Sequence, residues 1–212
     1  MSLFKTISKR QSVRKFKDQQ IPEKDLQKIV EAAGQAPSAK NIQNWHFVIL
    51  SNQEKIQTLA SVVAEKNQAM ANQVQDEDLK RKFTKFLRFG TFFKQAPAVI
   101  FVYGKDNYVP TGLPVLEEIG ADAKAMQALV STRPAMQSLG AAIQTLSLAA
   151  TELGYGSCWM TSANYAAPEI TELLDFHKDD YFLSAIVPIG IPEGDPKSPS
   201  RKPIEEIATF IR

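Results

Sequence analysis

The sequence predicts an α+β fold, with a single sheet accompanied by many helices. Apolar runs of strand length occur at residues 45–50, 98–103 and 182–189, and segments with apolar residues at helical spacing surround them. The strands do not alternate regularly with the helices, so a doubly wound parallel sheet is not favoured. The run at 98–103 is apolar throughout, which predicts a strand buried on both faces.

The predicted helices begin with a short one that carries Leu3, Phe4 and Ile7 on one face. The segment at about 134–153 has apolar residues spaced 3-4-3-4-3, so it should pack centrally in a core or a dimer interface. Gly154 is expected to cap it. The remaining predicted elements are helices at 22–33, 52–71, 72–92, 118–130 and 167–175, a loop at 104–117 and a strand at 156–161.

The bulk composition narrows the classes of protein to consider. A chain of 212 residues suits one domain, 1–212. Its net charge of +2 gives no electrostatic case for binding nucleic acid or a membrane. The single cysteine, Cys158, allows no intrachain disulfide and suggests a reducing compartment. No secretion signal or run of about 20 apolar residues is found, so we expect a cytoplasmic protein.

Several common catalytic motifs are absent. Gly154-Tyr155-Gly156 would need a third glycine at position 159 to form a dinucleotide loop, and that residue is Trp159. No phosphate-binding GxxxxGK[ST] loop occurs, no spacing of ligands resembles a metal site, and Ser157 is not in a GxSxG turn. Any catalytic activity must therefore depend on residues outside these motifs or on a cofactor.

A basic segment follows the first helix. Alternation in an extended segment would place Arg10, Ser12 and Arg14 on one side. Guanidinium groups bind phosphate through paired, charge-assisted hydrogen bonds, and a serine hydroxyl adds a further donor. A solvated charged turn is the alternative interpretation.

Three further segments are candidates for ligand contacts. The polar loop 36–47 carries small residues, with Asn41 able to donate and accept hydrogen bonds at a ring edge. The segment 153–159 has two glycines that let backbone lie flat against a ligand. Arg201 and Lys202 stand before a short helix in the C-terminal arm. The alternatives are a plain helix-to-strand connection for 36–47, a helix cap for 153–159 and a solvated surface for Arg201 and Lys202.

Taken together and in this order, the four motifs resemble the FMN-dependent nitroreductase family. The matches are KRQSVRKF, APSAKNIQNWHFVIL, AATELGYGSCWM and IGIPEGDPKSPSRKPIEEI. The resemblance covers about residues 3–207 and is weakest at 65–135. It implies a three-layer sandwich with a central, mostly antiparallel sheet and helices on both faces. It also implies a homodimer with two FMN sites at the interface and an exchanged C-terminal arm, about 190–212.

The resemblance implies roles for individual residues. Arg10 and Arg201 would hold the FMN phosphate, Gln11 and Ser12 the ribityl chain or phosphate, and Arg14 the flavin N1/O2 edge. The ring itself would meet Pro37, Ser38, Ala39 and Asn41 of the partner subunit, the backbone of Tyr155, Gly156 and Ser157 near N5, and Asn67 at the pyrimidine edge.

The chain departs from the family pattern at three places. Gln11 stands where a second arginine or a histidine is common, and Asn44 replaces the proline usual before the tryptophan. Without that proline, the loop 36–47 loses one source of rigidity. The segment 104–132 resembles a lid that varies within the family, so the resemblance does not define the substrate.

The function implied by the resemblance is a two-step exchange at the flavin, which would carry the chemistry while the protein supplies binding and electrostatics. NADH or NADPH would give a hydride to flavin N5, and a nitroaromatic, quinone or activated alkene would then take it, with Arg14 as electrostatic support. The alternatives are a flavin-fragmenting or dehalogenating enzyme of the same fold, a non-catalytic FMN-binding protein, and a helical interaction module built on 134–153.

Overall fold

The computed structural model of the protein describes residues 2–195 and 199–212, so part of the predicted C-terminal arm, residues 196–198, lies outside the described residues. The helices are α1 (Leu3–Lys9), α2 (Glu23–Gly34), α3 (Gln53–Ala71), α4 (Glu77–Thr91), α5 (Gly112–Glu118), α6 (Ala123–Val130), α7 (Pro134–Glu152), α8 (Ala167–Leu173) and α9 (Ile204–Ile207). The strands are β1 (Trp45–Leu50), β2 (Ala98–Gly104), β3 (Gly156–Ser157) and β4 (Phe182–Gly190).

The four strands form one antiparallel sheet in the order β1-β2-β4-β3. Every residue of β2 is buried, as its uninterrupted apolar run predicts. β2 lies between β1 and β4, with Phe101 opposite Val48 on one side and Ile186 on the other. The α+β class and the antiparallel sheet are therefore confirmed.

The two faces of β2 lead into two separate cores. Val99, Phe101 and Tyr103 point to one face and pack with apolar residues of α3 and α8. Ile100 and Val102 point to the opposite face and pack with those of α2 and α7. The side-chain period of two in a strand produces this division. Helices thus cover both faces of the sheet, which confirms the predicted three-layer sandwich.

The structure corrects three predicted elements. The predicted loop 104–117 contains α5, because Pro114 lies in a first helical turn, where its missing N–H costs no hydrogen bond. The next helix begins at Ala123 and not at 118, since the Asp122 side chain caps it by accepting from the Ala125 N–H at 2.8 Å. The predicted strand 156–161 shortens to β3, followed by an isolated bridge from Met160 to Ile186.

Among the described residues, none of the helices combines the length and the apolar character needed to cross a membrane.

Candidate functional site

The basic segment after α1 is extended and tied to the edge of the sheet. Val13 N–H donates to the Ser157 carbonyl at 2.9 Å, and Lys17 N–H donates to the Ile191 carbonyl at 2.9 Å. Val13 is buried, whereas the neighbouring Ser12 and Arg14 are exposed. The predicted alternation is present, and these backbone bonds fix the direction in which Ser12 and Arg14 point.

Position 156 requires a glycine because Val13 packs against its backbone. A Cβ at position 156 would lie 2.5 Å from Cγ2 of Val13, a distance that real side chains do not tolerate. Gly156 and Ser157 are buried and pair with Gly190 and Ile189 of β4. The missing side chain of Gly156 makes room for Val13, and the approach of this backbone to a flat ligand stays a prediction.

Tyr155 also has a partner within the chain. Its hydroxyl donates to Oδ2 of Asp25 at 2.8 Å, which links the start of this segment to α2. Together with the strand pairing of Gly156 and Ser157, this contact gives all three residues a structural role. A flavin contact of the Tyr155–Ser157 backbone stays a prediction.

The residues that follow β3 line a pocket of about 260 Å³ beside Arg14. Trp159, 46% exposed, forms part of its wall. The remaining lining residues are Phe86, Phe89, Phe92, Cys158, Met160, Thr161 and Ser162. The sequence-based prediction missed this wall, although phenylalanines at every third position from 86 to 92 indicate a shared helix face.

The charges around this pocket are incompletely balanced. Within residues 2–195 and 199–212, neither Arg10 nor Arg14 has a carboxylate partner. The Arg14 guanidinium lies 6.0 Å from the centroid of the Phe92 ring. Burial raises the pKa of the Cys158 thiol above its ordinary value, and the nearby positive charge of Arg14 only partly offsets this. Cys158 therefore stays protonated at neutral pH, while the two guanidinium groups remain available to an anion.

The loop after α2 has a strained backbone. Lys40, Asn41 and Gln43 adopt left-handed φ angles of 51°, 55° and 43°. Such values are uncommon outside glycine and are concentrated at functional sites. Ser38 holds the turn by accepting from the Gln43 N–H through its Oγ at 3.1 Å. The loop thus presents Pro37 and Asn41, both exposed, in a fixed conformation.

Within one chain this loop and the basic segment lie at different ends of α7. Ala39 N–H donates to Oγ of Ser138 at 3.1 Å, near the start of the helix. Gln11 lines a small pocket with Thr151, at the end of the helix. The 13 positions between Ser138 and Thr151 correspond to about 20 Å along the helix axis. A single chain therefore does not bring Ala39 and Gln11 together.

Two other predicted site residues differ in their burial. Asn67 is 1% exposed, and its Nδ2 donates to the Phe83 carbonyl at 3.3 Å, which joins α3 to α4. Arg201 is exposed, with no hydrogen bond or ion pair to the part of the chain that the structure describes. Their contacts with a flavin stay predictions.

Asn44, the departure that questioned the rigidity of the loop, is buried and strongly held. Its Nδ2 donates to the Lys105 carbonyl at 2.6 Å and to the Ala135 carbonyl at 3.1 Å. Its backbone carbonyl accepts from the Lys105 N–H at 3.0 Å. These hydrogen bonds restrict the loop by a different means from the ring of a proline.

With this geometry established, the comparisons with known proteins identify the family. The model of the Nitroreductase family matches residues 7–191, and the chain belongs to this family. The family resemblance inferred from the four sequence motifs is confirmed.

Solved structures agree in fold. A BluB-like flavoprotein from Clostridium difficile 630 superposes with a TM-score of 0.91, at 46% identity and over 100% of both chains. A nitroreductase with bound FMN from Desulfitobacterium hafniense superposes with a TM-score of 0.70, at 25% identity and over 100% of both chains.

A curated relative from Archaeoglobus fulgidus, provisionally named an NADH dehydrogenase/NAD(P)H nitroreductase, is 29% identical over 74% of this chain. The match spans 65% of that relative, and 32% and 56% of two further relatives that carry nitroreductase names. The chain thus spans less than two thirds of the length of these relatives.

Proposed function

We propose that this protein is an FMN-dependent oxidoreductase that passes reducing equivalents from NADH or NADPH to an aromatic or quinone acceptor. The observation that carries the proposal is the pair Arg10 and Arg14, which have no carboxylate partner in residues 2–195 and 199–212, with Arg14 at the wall of an aromatic pocket. The family supports FMN as the cofactor, as do structural relatives that hold it. NAD(P)H as the electron source is supported by the names of relatives.

The donor set fits FMN. Arg10 and Ser12 offer a charged fork and a hydroxyl, the groups that bind a phosphate, with Gln11 close by for the ribityl chain. Arg14, at the pocket wall, would face the N1/O2 edge, and bound FMN would supply the hydride transfer between the two substrates. A fixed cation at that edge stabilises negative charge by about 2–4 kcal/mol.

We also propose that the working unit is a homodimer. The separation of Ala39 from Gln11 along α7 is explained if Pro37, Ser38, Ala39 and Asn41 belong to the site of the partner subunit. The C-terminal arm supports this arrangement, because Phe210 and Ile211 are 76% and 95% exposed in the single chain. β1 is an edge strand beside a groove lined by Ile21, Leu26 and Ile49, where an exchanged arm could bind. Such an exchange would also carry Arg201 to the partner.

The first experiment is an absorbance spectrum of the purified protein, followed by anaerobic addition of NADH and then NADPH. We expect a flavin spectrum that bleaches with at least one nucleotide and recovers on addition of a quinone. Bound FMN that neither nucleotide reduces would instead favour a non-catalytic flavin-binding protein. A protein that stays colourless with added FMN would favour the helical interaction module.

Two substitutions separate the roles of the arginines. Arg10→Ala should weaken FMN binding about tenfold to a hundredfold, since it removes a charged hydrogen bond worth about 1.5–3 kcal/mol. Arg14→Ala should retain FMN but lower its reduction potential and slow its reduction. Lys24→Ala, on α2 across the sheet, is the matched control for loss of a cation. Normal FMN binding by Arg10→Ala would contradict the phosphate assignment, and an unchanged potential in Arg14→Ala would remove Arg14 from its role.

Reductive dehalogenation is the second candidate. An iodotyrosine deiodinase from Thermotoga neapolitana is 26% identical to this chain and matches it over 98% of both lengths. Release of iodide from 3-iodo-L-tyrosine by the reduced protein would favour this candidate. Turnover of nitroaromatics or quinones without iodide release would favour the first.

A further inference from the structure

The end of α4 presents an aromatic pair to solvent at the pocket mouth. Phe86 and Phe89 are 40% and 39% exposed, and their ring centroids lie 5.9 Å apart. Both side chains line the pocket that contains Arg14. Neighbouring exposed aromatic rings that border a pocket are a common mark of a binding surface.

Arg88 adds a positive charge to this aromatic surface. Its guanidinium lies 4.6 Å from the centroid of the Phe89 ring, within the range of a cation–π contact. The planar side chain is thereby held against the ring that lines the pocket. A guanidinium stacked in this way keeps its edge donors available to a carboxylate.

The other cations of α4 differ in their ion pairing. Lys80 and Lys82, in the first half of the helix, lie 3.6 Å from Glu77 and 2.5 Å from Asp78. Lys85 and Arg88, in the second half, have no carboxylate partner in residues 2–195 and 199–212. The uncompensated charge of α4 therefore lies at the pocket end of the helix, where Arg14 adds to it.

We propose that Arg88 is a specificity-determining residue that selects planar aromatic acceptors carrying an anionic group. The acceptor ring would contact Phe89 and the wall around it, and the anionic group would pair with the stacked guanidinium. A neutral acceptor would gain the ring contact alone, and a cationic one would be repelled. This inference rests on the proposed oxidoreductase function and specifies its substrate class.

The test compares three nitroaromatics of similar size and different charge: 4-nitrobenzoate, nitrobenzene and protonated 4-nitrobenzylamine. Arg88→Glu, measured at low ionic strength, should lower kcat/KM for 4-nitrobenzoate by about fivefold to tenfold. This magnitude follows from replacing one exposed attraction by a repulsion. The value for nitrobenzene should stay within about twofold, and that for the amine should rise. The difference between the acceptors should shrink in about 1 M salt, where the Debye length falls to about 3 Å.

Matched variants separate charge from other effects. Lys24→Glu makes the same charge change on α2 across the sheet and should leave the acceptor ranking unchanged, whereas Arg88→Lys should retain most of the preference for the anion. Phe89→Leu should lower kcat/KM for all three nitroaromatics by a similar factor, because it removes the ring that each would contact.

Three results would overturn the inference. The first is an equal change for all three acceptors in Arg88→Glu. The second is no loss for any acceptor in Phe89→Leu. The third is an effect of Arg88→Glu confined to anaerobic reduction by NADPH or NADH, which would assign Arg88 to the nucleotide. Failure of the proposed function is distinguishable, since the unmodified protein would then reduce none of the acceptors.

Discussion

Two segments outside the sheet are secured in contrasting ways. The basic segment, residues 10–17, is held along its length by backbone hydrogen bonds to β3 and to the chain after β4, with Val13 and Phe16 buried. The segment that the family resemblance likens to a lid, residues 104–132 (the lid segment), carries α5 and α6, of whose residues, all described by the structure, none is buried. The first segment is fixed by the sheet, and the second by its two ends and by one contact between them, where Lys40 Nζ donates to the Val109 carbonyl at 3.3 Å.

The ends of the lid segment are joined by a buried amide and an exposed ion pair. Asn44 Nδ2 donates to the carbonyls of Lys105 and Ala135, which lie at the two ends of the segment. Arg133 pairs with Asp106 at 2.5 Å nearer to solvent. A backbone fixed by the sheet suits contacts to a cofactor that stay constant, because precise placement requires rigid support. A segment held at its ends can differ in position from one ligand to another, and we expect the lid to do so.

The basic segment should be sensitive to the smallest added side chain. Gly156→Ala places a Cβ 2.5 Å from Val13, so it should lower the free energy of unfolding by about 3 kcal/mol, the upper part of the range for overpacking. FMN binding should weaken with it, because Val13 sets the direction of Ser12 and Arg14. Urea unfolding and FMN titration measure the two effects.

Gly34→Ala is the matched control for this substitution. No atom lies within 4 Å of an added Cβ at the end of α2, so we expect little change in stability. Equal stability of the two variants would show that Val13 does not constrain position 156.

Much of the fold could be predicted from the sequence because its strongest elements depend on local patterns. The apolar run of β2, the helical spacing in α3 and the capping Gly154, with a φ of 88°, are properties of neighbouring residues. The α5 helix is not predicted because Gly112 and Pro114 are residue types that also occur in loops.

The candidate site could be predicted only in part. Alternation was sufficient to place Ser12 and Arg14 together on one side of an extended segment. The packing of Gly156 against Val13 joins residues far apart in the chain, and no local pattern distinguishes it from a ligand contact. The pocket wall beside Arg14 likewise depends on how the end of α4 packs near Trp159.

A smaller loss of stability is expected in the lid segment, where the buried Asn44 side chain joins the two ends. Asn44→Ala removes two hydrogen bonds from a buried amide and leaves two carbonyls without it, which should cost about 2 kcal/mol in the free energy of unfolding. Hydrogen exchange should also become faster in α5 and α6, because the ends of the segment are released. Unchanged exchange in α5 and α6, together with lower stability, would show that Asn44 supports the sheet but does not hold the lid.

The smallest loss of stability is expected at the exposed ion pair between Asp106 and Arg133, which joins the same two ends. Asp106→Asn breaks an ion pair whose side chains are 43% and 61% exposed, so the loss should stay below about 1 kcal/mol and decline further in salt. A double-mutant cycle with Arg133→Gln isolates the interaction energy of the pair from the other effects of each substitution. We expect an interaction energy of about 0.5 kcal/mol. An interaction energy above the loss of stability measured for Asn44→Ala would contradict this prediction, because the exposed ion pair would then hold the lid segment more firmly than the buried amide.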